Sequence, residues 1–384
     1  MNSSNNPITH EKAVKLRKKY PHTNPSVIRN GFVFGVGYRC AYGLGNVIQA
    51  KVAKELGIQV VLAQQSAREL ERTGRTYENV IDLGAYSSQE ANLTIPWSAD
   101  GDHLKTEEHI KAAVAGGCTH FTYDVSNELK KSIKEAVEQL TKLINLTAEL
   151  KKGKDFTVEV SFDETEYTTK FDEVIFALEE LKKRKIKVDE LAPRFPGFFE
   201  KAIDYYLEKR DDKNTVEFER YLIEILKILN KYGVRLCVHS GSDKFSIYPI
   251  LAKHTKNNYH LKSAGTYYLE ELRIVAKHNP DLFKEIYAIS MKQFEKDRAS
   301  YELSTNTKNI PEISKLKGED IFALLDTKTG NGDLRQLLHV TYGSILTVDR
   351  FFNGCFEALK NHSDEHYEVF KKHIKLHVDP CFVL

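Results

Sequence analysis

Along the first 265 residues, short apolar runs of strand length alternate with stretches of helical period. Eight runs read as strands: FVFGVG (32–37), IQVVLAQ (58–64), LTIPWSA (93–99), HFTYDV (120–125), TVEVSFD (157–163), ELAPRF (190–195), RLCVHSG (235–241) and YHLKSAG (259–265). Between them, apolar residues recur at helical spacing in GNVIQAKVAKEL (45–56) and FDEVIFALEELKKRK (171–185). Phe218, Tyr221, Leu222, Ile225 and Leu226 mark one face of a helix before the seventh run. Strands that alternate with helices build a parallel sheet with the helices outside. Eight such units predict a closed (β/α)8 TIM barrel rather than an open sheet. Two of the runs carry a proline, Pro96 and Pro193, which disfavours a central strand position. From about residue 266 the pattern is helical, with amphipathic stretches YYLEELRIVAKH, DLFKEIYAISMKQFEKDRASY and DLRQLLHVTYGSILTVDRFF. No Gly-, Ser- or Pro-rich linker precedes them. The reading is therefore one barrel domain over 1–384, with a polar N-terminal leader over 1–30 and a helical extension over 266–384 packed on the barrel.

Length and composition narrow this picture. The 384 residues exceed the usual domain of about 150, which a large barrel accommodates. The hydrophobic fraction of 41% and the charged fraction of 29% are those of an ordinary globular protein. The net charge of +2, from 56 basic and 54 acidic residues, gives no reason to expect a nucleic-acid or membrane partner. A homo-oligomer is compatible with it. Cys40, Cys118, Cys237, Cys355 and Cys381 are odd in number and widely spread, without a CxxC pair, so neither a disulfide framework nor a thiolate zinc site is indicated. Reduced thiols and a polar N-terminus without a signal-peptide core fit a cytoplasmic protein. No run approaches the roughly 18 apolar residues of a membrane span.

In a barrel, chemistry sits at the C-terminal ends of the strands. The third run leads to Asp102 and His103. The fourth ends at Asp124, with His120 and Thr122 on one face by period two. The fifth carries Glu159, Ser161 and Asp163 on one face and ends at Glu164. The sixth ends at Arg194, the seventh in His239-Ser240-Gly241-Ser242-Asp243-Lys244, and the eighth carries His260 and Lys262. His103, His239 and His260 thus lie on strands that converge. Three neutral imidazoles with an open position suit Zn²⁺ or a similar divalent ion, such as Mn²⁺ or Ni²⁺. Asp163 or Glu164 could enter the ligand set instead. The turn around Gly241 could hold an anion on its backbone N–H groups. Asp124, Arg194, Ser240, Asp243, Lys244 and Lys262 are the candidate substrate contacts, the cations suiting a carboxylated or phosphorylated substrate.

Other signals are weaker. Gly35-Val36-Gly37 is not a dinucleotide fingerprint. His362 and His366, and His373 and His377, are spaced i,i+4 without HExxH and read as solvated helix faces. His339, in RQLLHVTYG, reads as a hydrogen-bonded core histidine.

Several segments resemble the tagaturonate epimerase family: LAQQSARELERTGRT (62–76), SADGDHLKTEEHIKAAVAGGCTHFTYD (98–124), VEVSFDETE (158–166), LAPRFPG (191–197), VHSGSDKFSIYPI (238–250) and HLKSAGT (260–266). The resemblance covers nearly the whole chain. DHLKTEEHIKAAVAGGCTHFTYD and LCVHSGSD are more distantly similar to class II, metal-dependent aldolases, which are (β/α)8 barrels. GVGYRCAYGLGN (35–46) and the stretch between Asp124 and Val158 depart from the family pattern. The resemblance implies epimerisation of tagaturonate and fructuronate in hexuronate catabolism, with a divalent metal. It implies Asp102 as an acid/base, Glu164 as the opposing acid/base, and His103 and His239 as metal ligands, with His260 the candidate third.

These two uronates differ at a carbinol carbon β to both the ketone and the carboxylate, so its C–H is not acidic. Transient oxidation would need a nicotinamide, for which no fingerprint is visible. Retro-aldol cleavage, rotation of the aldehyde and re-addition needs a Lewis acid and two acid/base groups instead. Competing expectations are an aldolase that releases its fragments, an epimerase of another ketose, and a sugar-acid binding protein on a degenerate barrel.

Overall fold

The computed structural model describes residues 6–39, 42–212 and 214–382. Strands β1 (Val33–Gly35), β2 (Gln59–Ser66), β3 (Trp97–Leu104), β4 (His120–Asp124), β5 (Thr157–Ser161), β6 (Glu190–Ala192), β7 (Arg235–Val238) and β8 (Tyr259–Lys262) pair in parallel in chain order. β8 pairs with β1 and closes the barrel. All eight sequence runs become strands. Pro96 stands just before β3 and Pro193 just after β6, so neither is asked for a ladder N–H.

The helices form where the apolar spacing places them, at Leu44–Leu56, Phe171–Lys183 and Val216–Tyr232. The last buries Phe218, Tyr221, Leu222, Ile225 and Leu226 on the sheet. It ends at Gly233, whose φ of 68° is the left-handed conformation that glycine adopts without a Cβ penalty.

Residues 6–30 do more than lead into the barrel. The helix His10–Lys19 ties to the helix Tyr77–Glu90 through Arg17 and Asp82 at 2.7 Å. Ser26 N–H donates to Trp97 O at 2.7 Å, and the Arg29 guanidinium reaches Asp155 and Asp189, so this segment covers the N-terminal mouth of the barrel.

The helical extension shares one hydrophobic core with the barrel. Tyr38, just beyond β1, packs edge-on against Phe370 with ring centroids 5.8 Å apart. The stretch DLRQLLHVTYGSILTVDRFF breaks into three helices, Gly332–Val340, Tyr342–Leu346 and Asp349–Asn361. At both breaks a threonine hydroxyl bonds the carbonyl four residues back, Thr341 to Leu337 and Thr347 to Gly343. Such back-bonding competes with the helix ladder and bends it.

The i,i+4 histidines are not on solvated faces. His366, His373 and His377 are all buried, and their helix Ser363–Val378 lies on the barrel helix Leu44–Leu56. Solvent-facing and core-facing stripes look alike here because the imidazoles are covered from both sides, His377 by Phe34, Phe245 and Tyr248 of the barrel and His373 by Tyr267 of the extension. His362 is half-buried and stacks on His278. Cys118, Cys237, Cys355 and Cys381 are buried and in no disulfide among the described residues, and Cys40 lies outside them. Among the described residues no helix is long and apolar enough to cross a membrane.

Candidate active site

The barrel interior is unusually charged for a position that aliphatic side chains commonly fill. Asp100, His120, Glu159, Glu190, Arg235, His260 and Lys262 are all buried there. They pair in a ladder. Arg235 holds Glu190, and His260 Nδ1 lies 2.9 Å from the same carboxylate. His120 Nε2 meets Glu159 at 2.8 Å. One layer higher, Lys262 Nζ lies 2.9 Å from Asp100, 2.9 Å from Asp102 and 3.1 Å from Glu159, and donates to Thr122 Oγ1 at 2.7 Å.

Above this ladder stand Asp102 and His103. Neighbouring residues of a regular strand point to opposite faces. Here the β3–β4 register passes from Gly101 opposite Phe121 to Leu104 opposite Tyr123, so β3 spends an extra residue. His103 has φ of 54°, in the left-handed region. This bulge brings both side chains to one cavity, at a backbone cost of about 1–2 kcal/mol for a residue with a Cβ. Ser240, at the end of β7 beside His239, is left-handed as well, with φ of 50°.

Each imidazole has one nitrogen fixed by a buried carboxylate. His103 Nδ1 lies 2.9 Å from Asp124 Oδ2, and His239 Nε2 bonds Glu159. The other nitrogens face shared ground, with His103 Nε2 3.9 Å from Asp102 and His239 Nδ1 3.0 Å from Asp163. The two ring centroids are 5.0 Å apart. Asp102, His103 and His239 each bring a donor atom within 4.8 Å of the others, a group able to hold a metal ion. Orientation of ligating histidines by carboxylates behind them is the usual construction of such a site.

The electrostatics agree. Burial opposes charge on His103, but Asp102, Asp163, Glu164 and the bond to Asp124 push its pKa up to about 10. Burial likewise opposes charge on His239, and Asp163 and Glu159 raise it to about 9. Asp163 is held at about 2 by His239 and His103 against its own burial. Burial would raise Asp102, yet the Lys262 ammonium with His103 and His239 holds it well below the ordinary carboxylate range. Asp102, Asp124, Asp163 and Glu159 thus surround the two imidazoles with negative charge that a divalent cation would balance. The donor set fits such an ion.

Glu164 lies on the other side of the His103 ring, 3.9 Å from Nδ1, and is salt-bridged to Arg68 and Lys105, each at 2.7 Å. Asp102 and Glu164 therefore flank one imidazole at the mouth of a cavity of about 650 Å³. That volume suits a small organic ligand.

Of the residues expected from sequence, Asp102, His103, Glu164, Arg194, His239, Ser240 and Lys262 line this cavity. Asp124 stands behind His103 and orients it rather than facing the cavity. His260 is a correction. It pairs across the sheet with Val33 and Cys237, two residues below His239, and joins His120, Glu159 and Glu190 instead of His103 and His239. Asp163 brings an oxygen to 3.0 Å from His239 Nδ1, beside the group formed by Asp102, His103 and His239.

Lys244 and Asp243 are also corrected. Lys244 is buried and gives all three ammonium protons to the carbonyls of Glu200, Ile203 and Ser242. Asp243 is buried against Arg335 at 3.0 Å and His377 at 3.1 Å. Three backbone N–H groups in and after the turn around Gly241 are taken as well. Gly241 N–H donates to Lys262 O, Asp243 N–H to His377 Nε2 and Lys244 N–H to Tyr248 Oη. This turn clamps the extension onto the barrel.

Sequence reasoning missed Arg39, Arg68, Lys105 and Lys201, which lie in loops or on helices where nothing local marks them. His339 was expected to be satisfied. It is buried and lines the cavity, but neither ring nitrogen has a hydrogen-bond partner.

The sequence matches the tagaturonate epimerase family over residues 2–145 and 135–380. It is 34% identical, over 421 aligned residues, to the tagaturonate/fructuronate epimerase of Thermotoga maritima, covering 96% of this chain and 85% of that protein. The structure is similar to the fructuronate-tagaturonate epimerase of Cohnella laeviribosi in its native crystal form, with a TM-score of 0.85 at 29% identity, covering 97% of this chain and 86% of that one. With one glycerol bound, the same Cohnella enzyme gives a TM-score of 0.88 at 29% identity, with 97% and 86% covered.

Proposed function

The chain belongs to the tagaturonate epimerase family, and from that premise we propose how this site interconverts tagaturonate and fructuronate. The protein is an isomerase, and its substrate is a uronate. The observation that carries the mechanism is the bulge in β3, which aims Asp102 and His103 into one cavity with Glu164 across the imidazole.

Inversion at the carbinol carbon proceeds by opening and remaking a carbon–carbon bond. Asp102, kept ionised by Lys262, takes the proton of the carbinol hydroxyl. The bond to the carbon next to the ketone breaks, its electron pair moves onto the ketone oxygen, and the carbinol becomes an aldehyde. A half-turn of the aldehyde presents its other face. The bond re-forms, the new alkoxide takes a proton that Glu164 has drawn from solvent on the opposite side, and Asp102 then returns its proton to solvent, so the site regains its starting state. In the reverse direction the two carboxyl groups exchange roles. A divalent cation held by His103 and His239, with Asp163 as carboxylate donor, would supply a Lewis acid for the charge that develops on the ketone oxygen. Asp124 and Glu159 keep the two imidazoles turned for that purpose.

The test uses the metal-loaded enzyme and fructuronate. Tagaturonate is the expected product, without accumulation of free three-carbon fragments. Asp102→Asn and Glu164→Gln should each lower turnover by about 10²–10⁴-fold with metal content unchanged. A chelator should abolish activity and added metal restore it. Full activity in either variant contradicts the two-carboxylate scheme, and full activity after chelation contradicts the metal.

A further inference from the structure

Six cationic side chains line the cavity, and five of them already have a carboxylate. Arg39 pairs with Glu69 at 2.8 Å, Arg68 with Glu164 at 2.7 Å, Lys130 with Glu166 at 3.3 Å and Arg194 with Glu302 at 2.7 Å, while Lys262 sits among Asp100, Asp102 and Glu159. Lys201 is the exception among the described residues. Its ammonium donates to Ser240 Oγ at 2.6 Å, which leaves two N–H donors facing the cavity without an anion in ion-pairing range.

His339 adjoins it. The imidazole is 1% exposed, both nitrogens lack partners, and the charges of Arg39 and Lys201 act on it directly. Burial, followed by those two cations, keeps the ring neutral, so it offers one N–H donor. Gly265 makes the convergence possible. A Cβ there would stand 2.5 Å from His339 Cε1 and 3.5 Å from Arg39 Nη2. The Arg39 guanidinium, paired with Glu69, stands over the Tyr342 ring with Cζ 3.9 Å from its centroid. An ammonium without a carboxylate and a neutral imidazole donor without a partner thus meet beside it.

We propose that Lys201, with His339, is the subsite that grips the carboxylate of the hexuronate, with Arg39, itself paired with Glu69, standing beside it. This rests on the epimerase reading above and names the group that holds the acid end. Lys201 is hydrogen-bonded to the residue that follows His239; burial, with Arg68 and Arg39, lowers its pKa while Asp163 and Glu164 act the other way, so the subsite adjoins the reacting centre. The aldehyde fragment formed by cleavage carries the carboxylate. An anchor there retains the fragment while its carbonyl turns. Arg194 and Lys244, which sequence reasoning favoured for this task, are paired with Glu302 and with backbone carbonyls.

The test separates binding from turnover. In an Asp102→Asn background, affinities for tagaturonate and for the neutral ketohexose bearing hydroxymethyl in place of the carboxylate are measured by calorimetry. Lys201→Met is expected to weaken tagaturonate by about tenfold to a hundredfold and leave the neutral sugar unchanged. Lys201→Arg should restore most of the loss, and His339→Phe should lose part of it. Equal weakening of both sugars, no weakening of either, or a parent protein that binds the two equally would overturn the subsite. If Lys201→Met does not fold, Lys201→Gln takes its place with the same expectations. Absence of tagaturonate turnover in the wild-type enzyme would count against the epimerase reading, while the binding comparison would still judge the subsite.

Discussion

Asp102 and His103 are adjacent in the chain, yet an ordinary strand would send them apart. The left-handed φ at His103 and the extra residue in β3 explain why both face one cavity. Neither feature is legible in the sequence, where no glycine or asparagine marks the spot. What was legible is the residue types at the strand ends. Asp102, His103, Glu164 and His239 could be named because barrels place function there. Lys201, Arg39 and His339 could not, because their meeting depends on the extension folding back over the barrel. His260 was misplaced by a single layer, since period two gives a face but not a height. At this scale, Asp124→Asn removes the carboxylate behind His103 without touching the cavity. It should lower metal affinity by about 10–100-fold, read by competition with a chelator.

The strands were the most legible elements. Each is a short β-rich run bounded by a helix of clear period, and the two prolines merely border theirs. The extension was harder to read. Its helices are covered from several sides, so their histidines give no solvent-facing stripe. His366 and His373 are buried and neutral, and burial pushes them down to about 3 and about 4. Glu270 and Asp243 partly offset this for His373, while His377 adds to it. An unfolded histidine titrates at 6.5. Below that value the unfolded chain binds more protons than the folded one, so stability falls as pH falls. The loss reaches about 2 kcal/mol for each group near pH 5. Thermal midpoints measured from neutral pH to pH 5 should therefore decline. The decline should be shallower in His366→Phe, whose ring can keep the edge-on contact with Phe370.

At the scale of the molecule, barrel and extension make one catalytic unit in our reading. Tyr301, Glu302, His339 and Tyr342 of the extension roof a cavity whose floor is built by β3, β5 and β7. Arg335 and His377 reach down to Asp243 at the end of β7, and Phe370 packs on Tyr38. In the proposed mechanism the roof would retain the cleaved fragment, so an active barrel without it is not expected. A chain ending at residue 265 should fail to fold or should aggregate, because the apolar face that the extension covers would be exposed. Cooperative unfolding and uronate turnover in that truncated chain would show the two parts to be independent.

The central claim is that the carbinol is inverted by opening a carbon–carbon bond while its hydrogen stays in place. The most direct measurement epimerises uronate labelled with deuterium on that carbinol carbon in ordinary water, and follows both label and rate. Retro-aldol cleavage predicts that the deuterium is retained in the product and that turnover slows only slightly. Loss of the label to water, or a large primary slowing from transfer of that hydrogen, would contradict it.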